Sequence, residues 1–497
     1  MLEIQKKLTN TFYAMLALPA TAMGFALSIQ ISALSWILST KYKLDIHDVG
    51  LVWAAGPIAG ILGQVIIGII SDKVWLWNGR RRPFILIGGF LAALMLLALP
   101  NIDVISSSLG IGGILGVAIV VALTLDLAIN VSFNPTRSII ADVTPEGTER
   151  TKGYTWMQTI SGTFGVLAYV IGAVWDNYVL IYFGVFLVLI LSLVPTFFIE
   201  EPRYLAGESE SEANSKAKSS FGEILNYIQP LWGFLLYAVY AITMRILNIK
   251  FDNYYAEIIC FIITLFFIFQ VLFQKSEGKS ASEKGIIGFK KVLAAHSFTW
   301  IGIQTMFVYM FAYVQYKVFG YAEGSVIPND VSVQMGKVVT ISFLIFNAIA
   351  AILPAFVLEP IARKIGKVKV HFISIASMAV GYALMLFFGF SPIIVYIVMA
   401  ILGIGWASTI SLPFAIMSQQ VDQTKMGLFM GLFNLSVVLP QLVASFGIGL
   451  AISQAPDKSL IFIISTVTLA ISAFLWYLVK EEKVHGVEVS APAKGGH

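Results

Sequence analysis

The sequence predicts an all-α polytopic membrane protein: two six-helix bundles plus a two-helix insert, fourteen transmembrane helices, with both termini cytoplasmic. Composition is the first observation behind this. The 497 residues are 58% hydrophobic and 12% charged, against about 45–50% apolar and about 25% charged in soluble domains. So little charge cannot coat a water-exposed surface of this size, and so much apolar content excludes a disordered chain. Second, apolar runs recur at the length of about 20 residues that a helix needs to cross a hydrocarbon layer of about 30 Å. Third, the basic residues lie between the runs and on alternate sides of them, which is topology information rather than a nucleic-acid surface. The net charge of +4 has the same origin.

The runs lie near 12–38, 50–70, 83–100, 110–133, 156–175, 179–199, 230–248, 253–273, 297–318, 338–358, 369–388, 392–416, 427–452 and 459–479. Barrel strands would be about 10 residues long and alternate apolar with polar, and these runs do neither. The first is preceded by Lys6 and Lys7, and Ala20-Thr21-Ala22 resembles a signal cleavage site. Its apolar character continues to Trp36, past a signal core of about 7–15 residues, so it reads as an uncleaved helix. In the second, Gly56, Gly60, Gly63 and Gly68 are spaced for close helix contacts. After the sixth comes the most polar stretch of the chain, Glu200 to Ser220, a flexible linker. A second polar stretch, Gln274 to Gly285, follows the eighth run. The layout is six helices in 1–205, two extra helices with their linkers in 206–295, and six helices with a short tail in 296–497.

Placing the amino terminus in the cytoplasm puts all Lys and Arg inside except Lys41, Lys43, Arg245, Lys250, Lys317, Lys337 and Lys458, an asymmetry that fixes orientation. The loops after the second helix of each half suggest a duplication: Asp72 and Glu359 each sit at a helix end ahead of a basic cluster. Two bundles rocking about a midplane site is the architecture of many secondary transporters.

No phosphate loop, HExxH, GxSxG or paired-histidine spacing is present, which argues against an enzyme and a primary pump. The one cysteine, Cys260, excludes an intramolecular disulfide or a cysteine metal site. No metal and no cofactor is expected beyond an ion gradient.

Chemistry therefore rests on polar groups inside the runs, where an ionisable side chain is a functional candidate by default. In the first six helices Asp126 is the one that lies well within a run. At about 100° per residue, Asn130, Phe133 and Arg137 share its face. That stripe presents a carboxylate, an amide, a ring and a guanidinium, with Pro135 expected to bend its last turn. A buried carboxylate balanced between burial and a nearby cation can load and release a proton. The plainer alternatives are a hydrogen bond to a neighbouring helix for Asp126 and snorkelling for Arg137. Gln30, Gln64, Gln158, Gln304, Asn347, Asn434 and Gln441 are further polar residues in apolar runs, fit to meet sugar hydroxyls or to tie helices together. Trp406, after a Gly-x-Gly step and before Pro413, offers a face for a sugar ring or for packing. Glu257 and Arg245, in the insert, carry no assigned role.

Four segments resemble the sucrose-transporter family of the major facilitator superfamily, particularly its bacterial members. They are Leu51 to Ile85 with GRRRPF at Gly79 to Phe84; LDLAINVSFNPTRSIIAD at Leu125 to Asp142; GIGWASTISLPFAIMS; and MGLFMGLFNLSVVLPQLVAS. The resemblance implies the major facilitator fold and a proton-coupled importer of a disaccharide or related glucoside, of sucrose or maltose type. Asp126 would carry the proton, and Arg137 would be its partner or bind substrate. Asp72, Arg80, Arg81, Arg82 and Asp142 would belong to a cytoplasmic gate. Gln30, Asn130, Gln158, Gln304, Trp406, Asn434 and Gln441 would be candidates to bind sugar. The chain departs from the family's twelve helices by its insert. Where plant members carry acidic residues in the seventh family helix it has Met310 and Ala312, so recognition there falls to Gln304, Tyr309, Tyr313 or Gln315. A sodium-coupled carrier of the melibiose type, an exporter and a transporter-like sugar sensor are the competing readings. The expected partners are a sugar, protons and the lipid of the inner (plasma) membrane, with the protein a monomer.

Overall fold

The computed structural model describes residues 3–60, 74–110, 113–145, 148–202, 221–247, 249, 253–274, 278–322, 324–421 and 426–480, and these are helical with no β-strand. Hydrocarbon supplies no hydrogen-bond partners, so each spanning segment must satisfy its backbone internally. Among the described residues, twelve helices are long and apolar enough to cross a membrane. Of the two other expected spans, the second runs into residues 61–73, outside the described residues. The seventh forms a helix of 15 residues, Trp232–Ile246.

The first half contains α1 (Asn10–Thr40), α2 (Ile46–Trp53, with residues 55–60 again helical), α3 (Arg82–Ala98), α4 (Ile114–Val143), α5 (Thr148–Val174) and α6 (Asn177–Phe198). The insert is α7 (Trp232–Ile246) and α8 (Tyr255–Leu272). The second half is α9 (Ala281–Tyr313), α10 (Asn329–Leu353), α11 (Lys367–Phe388), α12 (Pro392–Ser418), α13 (Met426–Leu442) and α14 (Leu460–Tyr477). Beyond α13 a π-turn, Val443–Ile448, leads into Gly449–Gln454.

Caps mark where several helices begin. Asp45 accepts from the Asp48 N–H at 2.7 Å and Asp176 from the Val179 N–H at 2.8 Å. A Ser280–Glu283 capping box starts α9 at Ala281, well before the apolar run that betrays it in the sequence. α4 likewise runs unbroken through Pro135 to Val143, bringing Arg137 and Asp142 into the helix rather than a loop.

The two halves repeat one packing scheme. α1 lies against α5 and α6, and α9 against α13 and α14; α3 lies against α4 and α6, and α11 against α12 and α14. This is what a duplication predicts. The halves meet through two equivalent pairs, α5 with α10 and α2 with the end of α13. α7 and α8 pack on each other and on α9 and α13, so the insert is an outrigger of the second half. Exposed aromatic and aliphatic side chains such as Phe186, Phe261, Phe266 and Phe387 form the lipid-facing surface.

Candidate functional site

The halves are sealed at the end that carries Lys41. There the Ser32 and Thr340 hydroxyls are 2.7 Å apart, and Thr340 donates to the Asn177 Oδ1 at 2.9 Å. The Trp36 indole N–H donates to the Ser332 carbonyl at 3.0 Å, and the Ser35 hydroxyl to that of Val308 at 2.9 Å. Backbones approach closely enough to require glycine. A Cβ on Gly336 would lie 2.9 Å from the Asn177 amide and 3.0 Å from the Trp36 indole nitrogen; one on Gly50 would lie 2.7 Å from the Ser445 carbonyl. The π-turn after α13 frees carbonyls for this junction, and the Tyr309 hydroxyl donates to that of Ala444 at 3.1 Å.

At the other end the halves part. On α5, Gln158, Gly162, Tyr169 and Gly172 fall within an arc of about 80°. Gly172 and Tyr169 touch α10, at Thr340 and at the Phe343 ring 6.4 Å away. Gln158 is exposed and Gly162 has nothing within 4 Å of its Cβ direction. On α13, Val438 is 3.5 Å from the Cβ direction of Gly60, and the part of the second helix beyond Gly60 lies outside the described residues. The α5–α10 junction is therefore V-shaped among the described residues, closed at the Lys41 end and open at the Arg81 end.

Asp126 lies at the heart of the first half. It is 5% exposed, a Cβ built on Gly56 would lie 3.5 Å from its carboxylate oxygens, and its Oδ2 accepts from the Gln30 amide at 3.0 Å. The stripe expected on α4 forms, with Asn130 donating to the Asp126 carbonyl at 2.8 Å and the Arg137 guanidinium 4.8 Å from the Phe133 ring centre. It does not join carboxylate to guanidinium. Eleven residues along a helix span about 16 Å, and Arg137 is exposed, with no ion pair among the described residues. The partner of Asp126 is Gln30, ninety-six positions away in sequence, and charge-assisted bonds of this kind are worth about 1.5–3 kcal/mol.

Tyr169, buried on α5, packs its ring on Phe343 of α10, one turn from Asn347, and Gly165 of α5 lies beside Ser28 of α1, a Cβ there meeting the Ser28 hydroxyl at 3.6 Å. Asn347 accepts from the Trp406 indole N–H at 3.2 Å. Trp406 stacks on Phe346 with centroids 5.6 Å apart and packs edge-on against Trp300 and Phe307. α5 thus stands between α1 beside the carboxylate and the aromatic wall of the second half. Tyr169 was not among the sequence candidates; a lone phenol in an apolar run flanked by Gly165 and Gly172 was the available signal.

Other candidates divide. Gln441 donates to the buried Gln304 at 3.1 Å, bridging α13 and α9, and Asn434 is half-buried on α13. Tyr313 is buried with its hydroxyl on the Met385 carbonyl, and Gln315 bonds the loop carbonyls of Tyr321 and Ala322, so these side chains, like that of Tyr309, are engaged within the protein. Asp72 and Gln64 lie outside the described residues. Arg81 is buried and its Nε is 3.0 Å from the Asp142 Oδ2. The backbone N–H groups of Arg80, Arg81 and Arg82 all donate to Glu201, at 2.9, 2.8 and 2.7 Å. These contacts lie inside the first half rather than between the halves, as the opening at this end requires. Glu201 was missed because it lies beyond α6, inside the stretch taken as linker.

Residues 16–445, most of the chain, match the Major Facilitator Superfamily. The chain belongs to that superfamily. It is similar to the sucrose transport protein SUT2 of Oryza sativa subsp. japonica, 27% identical over 457 residues that cover 80% of this chain and 78% of that one. A shorter match of 128 residues, 33% identical, covers 24% of this chain and 23% of the general alpha-glucoside permease of Schizosaccharomyces pombe. Over most of its length the fold resembles solved superfamily structures. A mutant of the nucleoside transporter NupG aligns with a TM-score of 0.61 at 14% identity, covering 94% of this chain and 99% of that one. The POT family transporter PepTSo aligns at 0.64 and 11%, covering 95% and 98%. These facilitator-superfamily relatives are permeases and transport proteins, and the chain is a multi-pass membrane transporter, not an enzyme.

Proposed function

We propose that this protein is a proton-coupled importer of a disaccharide or related glucoside, working by alternating access in the cell's inner (plasma) membrane, with fourteen spans and both termini cytoplasmic. With that orientation the open Arg81 end faces the cytoplasm, and the structure is the inward-facing member of the cycle. The observation that carries the reading is the Asp126 carboxylate, enclosed by α1, α2 and α4 and held by Gln30.

The cycle follows from charge. Occluding an ionised carboxylate in a low-dielectric interior costs several kcal/mol, whereas a neutral one can be enclosed. Protonation of Asp126 from outside permits the loaded protein to pass through the occluded state. In the inward-facing form, water from the open end takes the proton, and the Gln30 amide steadies the charge that remains. Sugar binds between the halves, with Trp406 presenting a ring face and Asn130, Gln158, Gln304, Asn434 and Gln441 offering amides. Arg137, exposed on the open side of the α4 stripe, serves substrate rather than pairing with Asp126. Asp72 with Arg80, Arg81, Arg82 and Asp142 forms the cytoplasmic gate when that end closes. Similarity to a sucrose transport protein and an alpha-glucoside permease supports the sugar class.

The test is substrate-dependent proton movement in sodium-free proteoliposomes, with sucrose, maltose, trehalose and glucose offered in turn. External alkalinisation with one of these sugars is the expected result. Sugar entry with no proton signal refutes proton coupling, and concentrative uptake restored by sodium assigns the coupling to sodium instead.

A further inference from the structure

The insert borders a cavity whose lining includes none of the residues proposed above to bind sugar or carry the proton. It is about 550 Å³, lies between α7, α8 and the π-turn region following α13, and faces the half of the bilayer nearer the Lys41 end. A polar-apolar gradient runs along it. Tyr254 and Gln454, joined by a 3.1 Å hydrogen bond, stand at its polar end, Phe234 is buried at its base and Phe261 forms its exposed, lipid-facing edge. On its wall is the Glu257 carboxylate. Among the described residues its Oε2 is buried with no hydrogen-bond partner, and Glu257 has no ion pair. A buried, uncompensated carboxylate oxygen in an apolar slot is costly unless something donates to it.

The surroundings specify the donor. Tyr237 and Tyr254 accompany Glu257 on the cavity wall. Aromatic faces beside a carboxylate recognise an ammonium group, through ring quadrupole and charge together. The apolar depth accepts a hydrocarbon chain, and the cavity lies on the lipid-facing side of the second half. We infer that the cavity between the insert and α13 binds a membrane lipid with a primary-ammonium headgroup, the ammonium on Glu257 and an acyl chain along Phe234 and Phe261. One wall of this site is the π-turn Val443–Ile448, whose other side receives the Tyr309 hydroxyl and the close approach of Gly50 at the seal. Occupancy therefore braces the sealed end from behind.

Native mass spectrometry of the full chain, titrated with phosphatidylethanolamine or phosphatidylglycerol, tests this. Wild type should retain phosphatidylethanolamine at roughly tenfold lower concentration than phosphatidylglycerol. Glu257→Gln should abolish that preference. Ala451→Phe, which fills the slot at an exposed position of its wall, should remove the tight adduct while the thermal unfolding midpoint stays in place. Equal retention of both lipids by wild type, or a preference that survives both substitutions, overturns the assignment. Dodecylammonium should displace phosphatidylethanolamine; if it binds while the lipid does not, a free amphiphile and not a lipid is the occupant, and the proposal fails.

Discussion

Replacing Asp126 by asparagine separates coupling from transport. The amide is isosteric with the carboxylate, and its oxygen still accepts from the Gln30 nitrogen that lies 3.0 Å from Oδ2. What is lost is the charge assistance, a difference of about 1 kcal/mol between a charged and a neutral hydrogen bond, so the protein folds. What changes is the energy available to move sugar uphill. A gradient of one pH unit is worth about 1.4 kcal/mol per proton, which sustains a roughly tenfold sugar accumulation at one proton per sugar. A potential of 100 mV adds about 2.3 kcal/mol, or about another fiftyfold. Asp126→Asn, permanently neutral, crosses the occluded state without a proton. Radiolabelled sugar in acid-outside proteoliposomes should then equilibrate at an inside-to-outside ratio near one, while sugar-for-sugar exchange continues. Accumulation by Asp126→Asn to more than about half the wild-type ratio would show that another group carries the proton.

Further outcomes follow from contacts already described. Gly336→Val places methyl groups against Trp36 and Asn177 and should prop the sealed end apart, cutting net uptake by roughly tenfold with little loss of folded protein, as read by uptake and size-exclusion chromatography. Arg81→Ala leaves the buried Asp142 carboxylate unpaired and should cost about 3–5 kcal/mol of stability, seen as a lowered unfolding midpoint in detergent. Trp406→Ala removes the ring stacked on Phe346 and the donor to Asn347, and should raise the KM for sugar about tenfold with a smaller change in maximal rate. At the Lys41 end, the Ser459 N–H and then the Lys317 ammonium hold the Asp457 carboxyl below the usual range. That stabilisation is full above the unfolded-state pKa of about 3.9 and disappears as pH falls through the lower folded value. Asp457→Asn should therefore flatten the acid-side dependence of the unfolding midpoint.

The sequence exposes what is periodic and local. Apolar runs announce the helices, and the 100° step announces the α4 stripe, because both depend on neighbours a few residues apart. The runs understate length where a helix leaves the hydrocarbon: α9 begins at Ala281 because Ser280 and Glu283 cap it, which hydropathy does not register. The Asp126–Gln30 pair and the packing of Tyr169 against α10 are hidden for a different reason. Each depends on how α1, α4, α5 and α10 are rotated against one another, and an isolated apolar helix carries almost no information about that angle. A shared helix face is not a shared place: Asp126 and Arg137 lie on one stripe of α4 yet eleven residues, about 16 Å, apart. Gly56, read only as a packing residue, faces the Asp126 carboxylate, where an added Cβ would sit at ordinary contact distance.

The tapering α5–α10 junction makes the protein a lever. From Gly172 at the seal to Gln158 at the open end is fourteen residues of one helix, about 21 Å at 1.5 Å per residue. Turning that arm by about 10° around its sealed end sweeps the far tip through nearly 4 Å while the fulcrum scarcely stirs. Distance labels on α5 near Gln158 and on α13 near Gly431 would accordingly record a swing that the same labels beside Thr340 would scarcely register.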